Sequence, residues 1–174
     1  MLSEEYKEKL SKISLLVMDV DGTLTDGSMY YTENGDTMKK FNVRDGMGII
    51  LLQKAGIKTA FLTSEQSMIT KKRAEKLEID YIFLGSRNKT ADLTSLAKLA
   101  NISFENIAYI GDDINDLPCM SMVGFSACPS DSHDIIKNSA HYICQHIGGA
   151  GAIRELCELI LISKNAPITL TEQW

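Results

Sequence analysis

The sequence lacks the features that would assign it to a membrane, secreted or metal-finger class. No apolar run approaches the roughly 18 residues of a transmembrane helix. Residues 1–12 are polar and contain no hydrophobic stretch of the kind that a secretory signal requires. The four cysteines form no C-x-x-C pair, so we expect reduced, half-buried thiols. These absences predict a soluble, cytoplasmic protein with no membrane partner.

An excess of positive charge is also missing. The chain has 18 Lys and Arg against 23 Asp and Glu, a formal net charge of −5. Nucleic acids are bound mainly by neutralising phosphates with Lys and Arg, so a nucleic-acid partner is not expected. A small phosphorylated substrate stays compatible, because a few local cations can hold it. The length of 174 residues predicts one domain, residues 1–174.

What the sequence does contain is an alternation of short apolar runs with stretches of helical period. Each run ends in a turn signal, and the final periodic stretch, from Ile153 to Leu161, forms one clean helical face. This alternation predicts an α/β fold, a Rossmann-like doubly wound parallel sheet covered on both faces. The predicted strands are Leu15–Met18, 59–62, 81–84 and Ile107–Ile110.

Residues 28–41 interrupt the alternation with two short strand-like runs around Asn34-Gly35. Asn-Gly is the strongest short hairpin signal, because both turn residues take positive φ. A β-hairpin is therefore predicted to project just after the first strand. The glycines of residues 148–151 suit a tight entry into the last helix, and residues 165–174 are predicted to form a loose tail.

Two groups of acidic residues follow predicted strands. Asp19 and Asp21 come directly after the first strand, where ligands of open α/β sheets bind. Like charges this close raise each other's pKa unless a cation shares the site, and Mg²⁺ suits such carboxylates together with a phosphate. The alternative for this pair is an Asx-turn with a helix cap. A second acidic loop holds Asp112, Asp113 and Asp116, a set suited to ligating or orienting a metal.

A hydroxyl and a lysine complete this set. Thr63 lies at the end of the second predicted strand, and Lys89 starts a helix, where the helix dipole does not favour a cation. Both groups suit phosphate oxygens. With D-V-D-G-T-L-T at residues 19–25 and G-D-D-I-N-D at residues 111–116, the chain resembles the haloacid dehalogenase superfamily of phosphohydrolases over roughly residues 12–160.

The resemblance implies a role for each of these residues. Asp19 would be the nucleophile that forms an aspartyl phosphate, and Asp21 the general acid and then the general base. Thr63 and Lys89 would hold the phosphoryl oxygens. The implied cofactor is Mg²⁺, held by Asp19, Asp112 and the backbone carbonyl of Asp21, with Asp113 and Asp116 in support.

The spacing of these motifs leaves no room for the cap domain that many superfamily members carry. The chain is similar to the capless family of 3-deoxy-D-manno-octulosonate 8-phosphate phosphatases and nonulosonate 9-phosphate phosphatases, which implies a sugar-acid phosphate as substrate. In that family four hairpins associate, so a homotetramer is expected, and the glycine-rich segment can approach a neighbouring site. The residues that carry this similarity are Asp26-Gly27, residues 40–49, Arg73 and residues 148–155.

The residues expected to contact the sugar resemble two different family patterns, one for an eight-carbon and one for a nine-carbon sugar. Arg44 and Arg73 suit the sugar's carboxylate, although each is alternatively a helix-terminal or surface charge. Glu65, Arg73 and Lys76 are similar to the nine-carbon pattern, whereas residues 41–46 look more like the eight-carbon pattern. The carbon count therefore stays open.

Two readings from other classes of protein compete with a phosphatase. A phospho-receiver signalling domain also combines an aspartate, Mg²⁺, a threonine and a lysine on a parallel sheet. In receivers, however, the acidic pair and the phospho-acceptor lie on different strands, whereas here D-V-D places them in one loop. A non-catalytic tetramerisation module is the other alternative, and the intact Asp21 and Lys89 argue against it.

Overall fold

A computed structural model of the chain describes residues 3–169, and its centre is a six-stranded parallel sheet. The strand order is β5-β4-β1-β6-β7-β8, and β2 pairs with β3 in a separate antiparallel hairpin. The strands are β1 Leu15–Met18, β2 Tyr30–Thr32, β3 Gly35–Met38, β4 Lys58–Leu62, β5 Tyr81–Phe83, β6 Ile107–Ile110, β7 Phe125–Cys128 and β8 Tyr142–Ile143.

Helices cover both faces of this sheet. They are α1 Glu4–Ser11, α2 Val43–Lys54, α3 Met68–Lys76, α4 Lys89–Ala100, α5 Leu117–Met120, α6 Asp134–Ser139 and α7 Ala152–Ser163, with a 3₁₀ turn at Phe104–Asn106. Residues of α1, α2, α3 and α7 share one hydrophobic core, and residues of α4, α5 and α6 share the other. The predicted doubly wound α/β fold is confirmed.

The central strand β1 shows why the sheet strands read as unbroken apolar runs. Leu16 and Met18 belong to the core on one face, and Leu15 and Val17 belong to the core on the other. All four side chains are fully buried. A parallel strand buried on both faces cannot alternate apolar with polar residues, so the sequence shows a continuous run.

The path of the chain creates a crevice beside β1. From β1 the chain builds β4 and β5 on one side, and it then crosses to build β6, β7 and β8 on the other. The carboxyl ends of β1 and β6 therefore lie side by side at the point where the strand order reverses. Ligands of open α/β sheets bind at such a point.

The predicted hairpin is present as β2 and β3, and an isolated bridge between Thr25 and Phe41 closes its base. Its turn differs from the prediction in one respect. Thr32 pairs with Gly35, so the loop is residues 33–34, and positive φ falls on Gly35 alone, at 105°. Within residues 3–169, the hairpin and α2 separate β1 from β4 and only α3 separates β4 from β5, so no cap domain is inserted there.

Several elements were not predicted. They are α1, α5, α6, β7 and β8; β7 carries Ser126 and β8 has two residues, so neither shows an apolar run. In the predicted loose tail, residues 165–169 form no helix or strand, although Ala166 and Ile168 pack against the core. Residues 170–174 of that tail lie outside the described residues. No helix of the described part is long and apolar enough to cross a bilayer.

Candidate active site

The two acidic loops meet at the crevice between β1 and β6. Asp19 directly follows β1, and its backbone N–H donates to the carbonyl of Ile110 at the end of β6, at 3.0 Å. Gly22 has φ of 91° and faces the carboxylate of Asp112 so closely that a Cβ at this position would overlap it. Thr23 donates its hydroxyl to Asp112 at 2.9 Å. Glycine is thus required where the first loop passes the second.

Lys89 links the two loops electrostatically. It is the first residue of α4, it is buried, and its Nζ lies 2.6 Å from Oδ1 of Asp19 and 2.6 Å from Oδ1 of Asp116. Burial alone would lower the pKa of Lys89, but the two carboxylates outweigh it and raise that pKa to about 12. The ammonium at this helix N-terminus is therefore stabilised by side chains and not by the helix dipole.

Asp116 is the orienting carboxylate of the site. It is 1% exposed and accepts hydrogen bonds from Lys89, from the hydroxyl of Tyr109 at 2.6 Å, and from the backbone N–H of Asp112 at 3.1 Å. A carboxylate with so many donors is held in one orientation. Tyr109 was not singled out from the sequence, because its position inside β6 makes it look like an ordinary core residue.

Carboxylate oxygens of Asp19, Asp112 and Asp116 lie within 4.8 Å of one another. Burial, and then the charge of Asp116, hold the pKa of Asp19 well above its ordinary value. Burial chiefly raises the pKa of Asp112 to about 6. One ammonium does not balance three carboxylates, so this cluster fits a hard divalent cation with oxygen ligands, which would favour the ionised forms.

Thr63 and Asp113, two further residues predicted for the site, differ from each other in their surroundings. Thr63 is buried at the end of β4, and its Oγ1 accepts the backbone N–H of Glu65 at 3.3 Å. Asn115 of the second acidic loop donates to Ser64 at 3.2 Å, so the threonine's strand end is tied to that loop. Asp113, by contrast, is exposed and accepts the N–H of Ile114, and it does not belong to the carboxylate cluster.

Sequence reasoning missed Lys39, a buried partner of Asp21. Lys39 directly follows β3, and its Nζ lies 2.5 Å from Oδ1 of Asp21. The other carboxylate oxygen, Oδ2, is buried and has no hydrogen-bond partner among residues 3–169. No local pattern signals this pair, since the two residues are 18 positions apart and lie on opposite sides of the hairpin.

The residues predicted to contact the sugar do not all lie near the site. Arg44 is exposed in the first turn of α2, and Glu65 is half-buried next to the end of β4. The guanidinium of Arg73 lies over the ring of Phe41 and donates to a backbone carbonyl at the start of α2, so it is not a free surface charge. Arg73 also lies in the last turn of α3, as the alternative of a helix-terminal charge predicts. Lys76 is at the end of α3, near the amino ends of the strands, so the structure does not bring it to the site of its own chain.

The glycine-rich segment, residues 148–151, packs against the first acidic loop. A Cβ on Gly148 would overlap the carbonyl of Gly22, and one on Gly149 would overlap the backbone at residues 25–26. Asp45 of α2 accepts the N–H of Gly151 at 3.3 Å and of Arg154 at 2.9 Å. It thereby caps α7, whose own N-cap residue is Gly151 and has no side chain to do so. The segment supports the loop that carries Asp19 and Asp21.

Comparison with protein families gives a match over residues 53–156 to the haloacid dehalogenase-like hydrolases. A 3-deoxy-D-manno-octulosonate 8-phosphate phosphatase of Escherichia coli (strain K12) is 37% identical over 163 residues, which cover 94% of this chain and 87% of the relative. The corresponding phosphatase of Yersinia pestis is 36% identical over 164 residues.

Solved structures show the same similarity. A crystal structure of the Yersinia pestis phosphatase has a TM-score of 0.92 at 36% identity and covers 94% of this chain and 89% of its own. A crystal structure of the Moraxella catarrhalis enzyme, in complex with a magnesium ion, a phosphate ion and a KDO molecule, has a TM-score of 0.91 at 37% identity and covers 94% of both chains.

Proposed function

Because this chain belongs to the haloacid dehalogenase-like hydrolase family, as a phosphatase, we propose that it hydrolyses the phosphate monoester of a 3-deoxy sugar acid. The first candidate substrate is 3-deoxy-D-manno-octulosonate 8-phosphate, after which the phosphatases that are 37% identical over 94% of this chain are named. The observation that carries the proposal is the buried contact of Asp19 with Lys89 at the carboxyl end of β1, with Asp21 two residues away.

In the proposed first step, a carboxylate oxygen of Asp19 attacks phosphorus and forms an aspartyl phosphate. The bond between phosphorus and the sugar oxygen breaks, and Asp21 gives its proton to that oxygen so that it leaves as an alcohol. Lys89 holds a phosphoryl oxygen and offsets its charge, and the hydroxyl of Thr63 donates to another.

In the second step, water attacks the phosphorus of the aspartyl phosphate while Asp21 accepts a proton from that water. The bond between phosphorus and Asp19 breaks, which releases inorganic phosphate and regenerates the carboxylate. Asp116 does not touch the reacting atoms; it orients Lys89 and the backbone of the second acidic loop. Asp21 thus loses one proton in the first step and regains one in the second.

The proposed cofactor is Mg²⁺, and the residues that would hold it are Asp19, Asp112 and the backbone carbonyl of Asp21. The clustered carboxylates and the raised pKa values of Asp19 and Asp112 fit this cation. When bound, it neutralises charge between an anionic nucleophile and an anionic substrate. The oxygens of Asp116 already accept hydrogen bonds, so Asp116 stays in a supporting role.

A nine-carbon nonulosonate 9-phosphate is the second candidate, and Glu65 is the residue that favours it. Glu65 lies two positions beyond Thr63, after the carboxyl end of β4, and is half-buried. We propose that its carboxylate accepts hydrogen bonds from sugar hydroxyls and repels phosphate. Arg44 is exposed on the same edge of the sheet and is our proposed partner for the sugar's carboxylate. Arg73 would act indirectly, by fixing the start of α2.

The exposed hairpin favours self-association, and we propose a homotetramer built through it. Met29, Tyr30, Tyr31 and Met38 expose between 39% and 61% of their surface. A two-stranded hairpin is marginal in water by itself, and clustered exposed apolar side chains are typical of interfaces.

The test is a phosphate-release assay with Mg²⁺ over sugar phosphates that include both the eight- and the nine-carbon ulosonates. We expect multiple turnovers with at least one of the two, and loss of activity after chelation that added Mg²⁺ restores. Release without turnover, with an aspartyl phosphate that accumulates from acetyl phosphate, would instead support a receiver domain. No release from any ester would support the non-catalytic module.

A further inference from the structure

Lys39 directly follows hairpin strand β3, and its ammonium group lies in the site beside Asp21. Its side chain is completely buried, and Nζ contacts Oδ1 of Asp21, whose side chain is 19% exposed. Burying an ammonium costs free energy unless it is paired, so this contact has to compensate for the burial. The matched neighbour Lys40 behaves differently: it is exposed and pairs with Asp26 at 3.2 Å on the surface.

The two oxygens of Asp21 have different surroundings. Oδ1 is held by Lys39, whereas Oδ2 is buried and accepts no hydrogen bond from the part of the chain that the structure describes. Buried polar atoms are nearly always hydrogen-bonded, so an unpartnered oxygen inside a site points to a group that comes from outside the protein. In the proposed reaction that group is the sugar oxygen, and afterwards the attacking water.

We propose that Lys39 is a positioning residue that holds Oδ1 of Asp21 and thereby directs Oδ2 to the leaving oxygen. This inference rests on the proposed function, in which Asp21 transfers the proton. The proton on Oδ2 passes to the sugar oxygen as its bond to phosphorus breaks, and water later returns a proton to the same oxygen. Lys39 neither gives nor takes a proton.

The hairpin strand that precedes Lys39 is itself attached to the site. Ser67, between β4 and α3, donates its hydroxyl to Asp36 of β3 at 2.6 Å, and Ser67 is buried. Strand β3 is therefore bonded to the loop after β4 through Asp36, and Lys39 follows it to Asp21. These contacts restrict where the Lys39 ammonium can lie. Such restriction is required if Lys39 is to position Asp21, the proton donor.

The proposal is tested with two substrates of different leaving group. The alcohol of 3-deoxy-D-manno-octulosonate 8-phosphate leaves poorly without a proton, whereas p-nitrophenolate leaves without one. We expect Lys39→Met to lower kcat for the sugar phosphate roughly 10- to 100-fold and kcat for p-nitrophenyl phosphate less than about threefold. Lys39→Arg should restore most of the loss, and Lys39→Met should add little to Asp21→Asn, since both act through one carboxylate.

Lys40→Met is the matched control and should leave both rates nearly unchanged. Equal losses on the two substrates, or a raised KM with unchanged kcat, would overturn the positioning role and make Lys39 structural or substrate-binding. If Lys39→Met does not fold, Lys39→Gln carries the same comparison, and Lys39→Arg stays the variant that is expected to restore activity. The rates of the wild-type protein test the proposed function separately. If the wild-type protein does not turn over the sugar phosphate, glycerol 3-phosphate takes its place as the alkyl ester in the comparison of variants.

Discussion

Replacing Asp19 with Asn separates its proposed role as nucleophile from its contribution to folding. An amide does not attack phosphorus, so Asp19→Asn should lower turnover by roughly 10³-fold or more. Folding should be unchanged or slightly improved, because Lys89 keeps one partner, Asp116, and a buried like-charge contact disappears. Phosphate release and thermal denaturation measure the two effects.

The surface variant Asp134→Asn is the control for Asp19→Asn, since Asp134 is exposed and its ion-pair partner in the described part of the chain is Lys137 of its own helix. It should change neither property measurably. Near-full Mg²⁺-dependent turnover of Asp19→Asn would show that the aspartyl-phosphate mechanism is wrong.

Glu65 determines sugar length in our second candidate function. Losing a hydrogen bond to a charged acceptor costs about 1.5–3 kcal/mol, roughly 10- to 100-fold in kcat/KM. Glu65→Arg should therefore lower kcat/KM for the nine-carbon ester and spare or raise it for the eight-carbon ester. The small ester p-nitrophenyl phosphate, which does not reach Glu65, is the internal control. An unchanged ratio of nine- to eight-carbon activity would make Glu65 a solvated surface charge.

Among the secondary-structure elements, the sequence predicts those whose formation depends on residues close together along the chain. Four sheet strands, the hairpin and the main helices follow from apolar runs and turn residues, and their carboxyl ends carry Asp19, Asp112 and Thr63 together. Contacts between distant elements leave no such local pattern. Asp45 caps α7 from 106 positions away, and Lys39 contacts Asp21 across the hairpin, so both had to be seen in the structure.

The start of α7 offers a test of such long-range support. Glu155 accepts the hydroxyl of Tyr142 at 2.7 Å and the backbone N–H groups of Gln145 and His146. Burial would raise the pKa of Glu155, but these hydrogen bonds outweigh it, so the pKa in the folded state is lowered. The carboxylate therefore stabilises the fold above its unfolded pKa, and this contribution disappears as pH falls through the folded pKa.

Glu155→Gln should accordingly lower the free energy of unfolding by about 2 kcal/mol at pH 7. The difference from wild type should shrink as the pH falls to 4 and below, which urea denaturation over that range measures. Glu158→Gln, one turn further along α7, is the control, because the salt bridge that Glu158 makes among residues 3–169 is with Arg154 of the same helix. Its effect should stay below about 0.5 kcal/mol. A pH-independent loss in Glu155→Gln would contradict the electrostatic explanation.

The whole molecule carries its candidate active site at the carboxyl edge of the sheet, where the described residues place no cap domain over it. Exposed apolar side chains lie at the first residues of α2 and α3, Val43 and Met68, and in the second acidic loop at Ile114. The hairpin leaves from the same edge, directly after the first acidic loop. A neighbouring subunit held by the hairpin would therefore be placed beside the open crevice, so assembly and activity should be linked.

Charged residues in the hairpin test this link. Met29→Asp with Tyr31→Asp should dissociate the proposed homotetramer, because burying two carboxylates in an apolar interface costs several kcal/mol. Activity on the sugar phosphate should fall with the loss of the neighbour, whereas p-nitrophenyl phosphate, which needs fewer contacts, should be affected less. Sedimentation and both rates are measured at one protein concentration. Leu99→Asp, an exposed leucine on α4 far from the hairpin, is the control and should change neither. A wild-type protein that sediments as a fully active monomer would show that the hairpin is not needed for the site.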